Sequence, residues 1–215
     1  MHLLAAQPGG INDGTEAVDL GQSPGDIVVL SAADTELAAL ATARETLATE
    51  SDGAFPTLRL ASLLNLGHNL SVDTYVADVI AHASLVIVRL LGGVSYWPYG
   101  VERVVAACRE RGIKLALLPG DDQPDAELAS HCLLPRESCH RLWQYAVHGG
   151  AANARNMLAY GAHLIGYEVD WVEPAPILRA GLYWPGEDAT DLAALRAHWR
   201  ADAPVAAVVF YRALW

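Results

Sequence analysis

Ser84-Leu85-Val86-Ile87-Val88-Arg89-Leu90 is an apolar run with one cation near its end, and it stops at Leu91-Gly92-Gly93. Continuous Val, Ile and Leu, without polar alternation, predict a parallel strand covered on both faces. Three further runs of this kind occupy 26–31, 57–63 and 113–118. The segments between them carry helical periodicity. Leu37, Leu40 and Leu47 fall near one side of the first segment. In the third, Val101, Val104, Val105 and Cys108 follow i, i+3, i+4, i+7 spacing, with Glu102, Arg103, Arg109 and Glu110 outside. Gly112 stands where a C-terminal glycine ends a helix. Strands alternating with such helices predict an α/β fold, a doubly wound and mostly parallel sheet of the Rossmann or flavodoxin type. A further strand over 1–6 is expected at its edge.

Beyond Asp122 the pattern changes to consecutive helices over 124–132, 135–148 and 151–166, with Gly149-Gly150 between the last two. A proline-rich passage leads to a helix over 188–199, and a last apolar run, 204–211, reads as a new strand. The expected organisation is a Rossmann-like domain over 1–122, a helical segment packing on it over 123–170, a Pro-rich connection with a helix over 171–203, and the start of a further α/β domain over 204–215. A strand with no following helix suggests a piece of a longer polypeptide.

At 215 residues and 53% hydrophobic the chain can bury a sizeable core. A net charge of −11 argues against nucleic acid and anionic membranes as partners, since phosphate contacts need clustered Lys and Arg. Before Thr57 the sole Lys or Arg is Arg44, set among nine Asp and Glu. The N-terminal apolar run is too short for a secretory signal, and no run reaches the roughly 20 apolar residues of a membrane helix. Three cysteines, Cys108, Cys132 and Cys139, suit reduced thiols in a cytoplasmic protein, with Cys108 as a buried small hydrophobe.

Ligands of open α/β sheets bind outside the carboxyl ends of the strands, where strand order reverses. Each strand end here is polar. The first offers Ser31, Asp34, Thr35 and Glu36, and the second Asn65, His68 and Asn69. The third offers Arg89, the Gly92-Gly93 turn, Tyr96, Trp97 and Tyr99, and the fourth Asp121 and Asp122. Aromatic faces beside a cation and carboxylates suit a flat, carboxylated macrocycle through stacking and charge-assisted hydrogen bonds. A structural reading stands beside this one. Ser31, Asp34 and Ser71 are helix N-cap types, the asparagines serve turn geometry, and Arg89 pairs with Asp121, Asp122 or Asp34 as a domain lock. Tyr96, Trp97 and Tyr99 then pack as the first turn of a helix with Pro98 in an early position.

There is no G-x-x-x-x-G-K-[ST] and no G-x-G-x-x-G after the first strand, so the sequence gives no support for direct ATP or dinucleotide binding. His131-Cys132 and Cys139-His140 have the wrong spacing for a zinc knuckle, and neighbours on a helix diverge by about 100°. No metal ligand set and no catalytic nucleophile is expected.

Four stretches together, Leu30-Ser31-Ala32-Ala33-Asp34-Thr35-Glu36-Leu37, Asn65-Leu66-Gly67-His68-Asn69-Leu70, the run from Arg89 to Gly100, and Leu118-Pro119-Gly120-Asp121-Asp122, resemble the start of the cobaltochelatase large subunit, CobN. That family includes the large, porphyrin-binding subunit of magnesium chelatase. The resemblance implies a tetrapyrrole-binding subunit of an enzyme that inserts cobalt(II) into hydrogenobyrinic acid a,c-diamide in aerobic cobalamin biosynthesis. It further implies that ATP, with magnesium, is hydrolysed on the partner subunits CobS and CobT, of AAA+ type, and that the chelation site lies outside this chain. By that resemblance no cofactor is held here and no catalytic residue is transferred. The Tyr96-Trp97-Pro98-Tyr99-Gly100 run resembles the cobalt branch more than the magnesium one.

Overall fold

In the computed structural model, the apolar runs become four parallel strands, β1 (Ile27–Ser31), β2 (Leu58–Ser62), β3 (Leu85–Leu90) and β4 (Lys114–Pro119), in the order β2-β1-β3-β4. The structure describes residues 16–51, 53–176, 181–184, 191–200, 202–204 and 206–209. Central β1 and β3 are buried at every position, as runs without polar alternation require. The order is that of a doubly wound flavodoxin-like sheet. Its switch point lies between β1 and β3, because the chain leaves β1 toward one edge and returns to build the other.

The two faces carry separate cores. Val28, Leu30, Val86, Val88, Leu90, Leu115 and Leu117 point to the side covered by α2 (Asn69–Asp78) and α3 (Pro98–Arg111). Ile27, Val29, Leu85, Ile87, Ala116 and Leu118 point to the side covered by α1 (Asp34–Glu50), α5 (Arg136–His148) and α6 (Ala151–Leu164). Helix α1 buries Leu40, Ala43 and Leu47, and α3 buries Val101, Val104, Val105 and Cys108, the stripes expected from spacing. Gly112 closes α3 in the left-handed conformation, its N–H donating to the Cys108 carbonyl.

Both sheet edges are covered. Gln22 Nε2 donates to the Leu60 carbonyl of β2. Past α4 (Ala126–His131), the Leu133 N–H donates to the Leu115 carbonyl of β4, and the Leu117 N–H donates to Cys132 Sγ. Each such bond occupies a ladder group of the kind that invites strand addition.

Residues 167–175 cross α5 and α6 as an extended strap tied by side chains. Asn153 accepts from the Ala175 N–H at 3.0 Å and donates to its carbonyl at 2.9 Å. Asn156 accepts from the Val172 N–H, and the Tyr145 hydroxyl donates to the Val172 carbonyl. Arg141 links Glu173, Glu137 and the Tyr160 hydroxyl, lying 5.0 Å from the Tyr160 ring centroid and 5.2 Å from that of Trp171.

One compact unit ends at Ala175 and a second begins at Pro176, so the division falls inside the stretch 171–203 read from sequence as a connection. In the second unit α7 (Leu192–Ala197) is capped by Asp191, whose side chain accepts from the Ala194 N–H. Residues 185–190, where the predicted helix over 188–199 begins, and the predicted strand over 1–6 lie outside the described residues. Of the predicted strand over 204–211, the described residues 204 and 206–209 are not in a strand, and Val208 and Val209 are exposed. β-propensity alone does not hold an apolar run extended without a ladder partner.

Candidate functional site

At the switch point Ser31 and Arg89 are register partners, and both point to the α1/α5 side of the sheet. Alternation dictates this, since Arg89 lies two residues beyond Ile87 on the same face. Arg89 is buried and every arm of its guanidinium is engaged. Nε donates to the Pro119 carbonyl (3.3 Å), Nη2 to the Gly120 carbonyl (2.9 Å) and Nη1 to the Ala146 carbonyl (3.3 Å), and Glu36 forms the ion pair. Glu36 also accepts from the Ser31 hydroxyl at 2.7 Å, while Ser31 Oγ accepts from the Ala33 N–H. Burial lowers Arg89 to about 10, with the Asp121 charge pulling it back up, so the guanidinium stays charged at neutral pH.

The expected ion-pair partners, Asp121, Asp122 and Asp34, are therefore replaced by Glu36. The physical reason is position. Asp34 is exposed at the first turn of α1, whereas Glu36, two residues on, turns toward the sheet. Asp121 and Asp122 are exposed in the loop after β4, where they accept from the Gln123 N–H and the Gln123 side chain. Gly120 lets the two strand-end loops touch, since a Cβ there would stand 2.6 Å from the Leu91 nitrogen.

Gly92 and Gly93 both have positive φ, and a Cβ on Gly93 would stand 2.8 Å from the Asp125 carboxylate that caps α4. The turn packs loop on loop. Trp97 is 7% exposed, lies in the core under α2 and α3, and donates its indole N–H to the Leu66 carbonyl at 2.8 Å. It closes the β2-end loop against α3 and offers no face to the crevice. Gly100 makes this possible, because a Cβ there would fall 1.9 Å from an indole carbon. The Tyr99 hydroxyl donates to Asp73 of α2, as does Arg103 at 2.7 Å, and these bonds hold the Asp73 carboxyl below the usual carboxylate range.

Asn65 is half-buried in a single helical turn, Leu63–Leu66, and Asn69 is exposed at the start of α2. His68 caps α2, its Nδ1 accepting from the Leu70 N–H at 3.1 Å. The cap expected at Ser71 is thus supplied three residues earlier, and the buried Ser71 hydroxyl instead accepts from the Val18 N–H. Nor does Asp34 cap α1, whose N-cap position is Ala33.

The structure thus brings Arg89 and the backbone after Pro119 together, directs Trp97 into the core, and leaves Asp34, Asn69, Tyr96, Asp121 and Asp122 exposed around the strand ends. Tyr96 shares this end with three other exposed apolar side chains, Leu64, Leu70 and Leu91. Two hollows lie elsewhere. One of about 210 Å³ runs between α2 and α3 past Asp73 and Arg103, and one of about 390 Å³ is lined by His163, Glu168, Val169, Asp170 and Trp171. Among the described residues no group of three or more His, Cys, Asp or Glu is placed to hold a metal ion, and no helix is long and apolar enough to cross a membrane.

Sequence reasoning passed over Glu36 as the partner of Arg89 and Leu70 and Leu91 as exposed strand-end residues. Glu36 had a usable signal, standing five residues after Ser31 on a first helical turn beside the switch point. The apolar residues had none, because a leucine at a loop end reads as core.

No family model matches the chain. The aerobic cobaltochelatase subunit CobN of a Sinorhizobium species is 43% identical over 227 aligned positions, covering 100% of this chain and 17% of that protein. The subunit of the same name from Pseudomonas aeruginosa is 40% identical over 213 positions, covering 99% of this chain and 17% of the relative. A solved structure, the catalytic subunit of cobaltochelatase from Mycobacterium tuberculosis, superposes with a TM-score of 0.57 at 24% identity, over 74% of this chain and 12% of that one, which supports the fold. The chain spans about 17% of the length of the curated relatives it matches, and over that span it belongs to the CobN cobaltochelatase-subunit family.

Proposed function

We propose that this chain acts as a non-catalytic head region of a CobN-type large subunit, in an enzyme that inserts cobalt(II), as substrate, into hydrogenobyrinic acid a,c-diamide. Insertion requires two pyrrolic protons to leave and the macrocycle to distort, and the base and chelation site belong to other parts of the polypeptide. ATP and magnesium are used by AAA+ partners of the CobS and CobT kind, in the cytoplasm. The observation that carries this reading is the filled switch-point crevice. Arg89, the cation at the strand ends, is engaged by Glu36 and three carbonyls, so the place where an open α/β sheet takes its ligand is closed from within. The exposed Leu64, Leu70, Leu91 and Tyr96 around it favour contact with another part of the large subunit.

The test is reconstitution. The CobN relative is prepared without the matched region and assayed for cobalt insertion with its ATPase partners, with and without this chain added. Activity lost on deletion and restored by the chain is expected. Full activity without the region would refute a role in insertion. Tetrapyrrole binding by this chain alone would instead support a free-standing binding module.

A further inference from the structure

The loops that follow the four strands meet at the carboxyl end of the sheet and carry apolar and acidic side chains side by side. Among the described residues up to Ala175, six large apolar side chains are exposed, and four of them, Leu64, Leu70, Leu91 and Tyr96, stand here at 44–58% exposure. Their loops are joined. The bond from the Trp97 indole to the Leu66 carbonyl ties the turn that holds Tyr96 to the stretch that holds Leu64 and Leu70. Gly120 lies against Leu91, where a Cβ would stand 2.8 Å from the Leu91 Cβ, so the same surface continues into the Asp121-Asp122 loop. A single exposed leucine is ordinary, but apolar side chains gathered on adjoining loops are the mark of a surface that another protein covers.

Charge at this end has one sign. Residues 31–36, 62–70, 90–99 and 119–126, together with the end of α5 and its turn, 143–150, contain five carboxylates and no Lys or Arg. Glu36 is engaged by Arg89 and Asp125 caps α4, which leaves Asp34, Asp121 and Asp122 exposed. None of these three enters an ion pair among the described residues. A carboxylated macrocycle, a phosphate backbone or an anionic lipid surface would meet like charge here. Cations set beside apolar side chains would meet their complement in both respects.

We propose that this strand-end surface is a docking face for a basic, amphipathic protein segment, with Lys or Arg beside apolar side chains, supplied by a part of the CobN-type large subunit outside this span. The proposal rests on the head-region reading above and names the chemistry of its contact. This chain corresponds to 17% of each matched relative, so most of such a polypeptide is available to supply the segment. In the contact the leucines and Tyr96 lose water, while the carboxylates pair with cations at the edge and set orientation.

Carboxyl footprinting reads the contact in the intact polypeptide. The Sinorhizobium CobN relative, with its matched span replaced by this chain, is labelled with glycine ethyl ester and a carbodiimide beside the chain alone, and both are mapped by tandem mass spectrometry. Asp121 and Asp122 should label at least about fivefold more slowly in the full-length chimera, because a carboxylate at the rim of a contact is shielded from the reagent. Leu70→Ser with Leu91→Ser, two exposed positions, should restore the faster labelling, and 0.5 M salt, on the order of a 4 Å screening length, should restore part of it. Equal labelling of chain and chimera, protection that arises only when the ATPase partners are added, or protection that the leucine variant leaves intact would overturn the proposal. If the chimera fails to fold, the chain is footprinted with and without the remainder of the relative added in trans, with the same outcomes. Protection with failed reconstitution would keep the contact and refute a role in insertion, whereas reconstitution without protection would keep the role and refute the contact.

Discussion

Replacing Arg89 by alanine breaks the closure of the switch-point crevice and gives a sharp energetic test. The side chain of Arg89 is 9% exposed and that of Glu36 31%, so the pair is buried on one side and wetted on the other. Removing one partner of a buried pair costs roughly 3–5 kcal/mol. Partial solvation of Glu36 brings the expectation to roughly 2–4 kcal/mol, because the stranded carboxylate can turn to water. The Pro119, Gly120 and Ala146 carbonyls lose their donor together, which adds to the loss in the folded state. Arg89→Met keeps the packing of the stem and should cost less than Arg89→Ala. Urea unfolding of wild type, Arg89→Ala, Glu36→Gln and the double variant forms a cycle, with an expected coupling of about 1–3 kcal/mol. Asp121→Asn should couple more weakly, since its carboxylate is exposed and bonded within its own loop. An Arg89→Ala loss below about 0.5 kcal/mol, or stronger coupling to Asp121 than to Glu36, would refute the assignment.

Gly100→Ala should destabilise by about 1–3 kcal/mol despite the higher helix propensity of alanine, because its Cβ meets the Trp97 ring, and thermal unfolding reads the sign directly. Trp97→Phe should cost about 1–3 kcal/mol by leaving the Leu66 carbonyl without its donor. Asn153→Ala should free the strap, since a 4%-exposed amide holding Gly149 and both backbone groups of Ala175 is lost, and faster proteolysis within 167–175 is the readout. Cys108 gives an alkaline signature. Its folded value of about 12 lies above the ordinary 9.0, so its contribution is complete below pH 9 and is lost as pH rises toward 12, at about 1.4 kcal/mol per pH unit. Cys108→Ala should flatten the stability profile over that window.

The sheet was legible because each strand is a five- or six-residue run dominated by Val, Ile, Leu and Ala, interrupted at most by one cation, and the crossovers carry periodic stripes. Strand order was not, since 26–31 pairing with 57–63 on one side and 84–90 on the other depends on which faces the helices cover, and local pattern does not carry that. The candidate site was half legible. Polar strand ends marked the right end of the sheet, but the inward turn of Trp97 depended on a missing side chain at Gly100 and on a carbonyl at Leu66, thirty-one positions away in the chain, which local pattern does not pair with it. Likewise, Ser71 reads as a helix cap, yet the chain starts α2 earlier and uses His68, freeing Ser71 to bind Val18.

The most direct test is an equilibrium titration of the folded chain with hydrogenobyrinic acid a,c-diamide, followed by tryptophan fluorescence and repeated with Arg89→Met. A crevice closed by Arg89 and Glu36 predicts no saturable quenching by either protein. Saturable binding by the wild type that Arg89→Met abolishes would contradict the account and return the strand ends to the role of a ligand site.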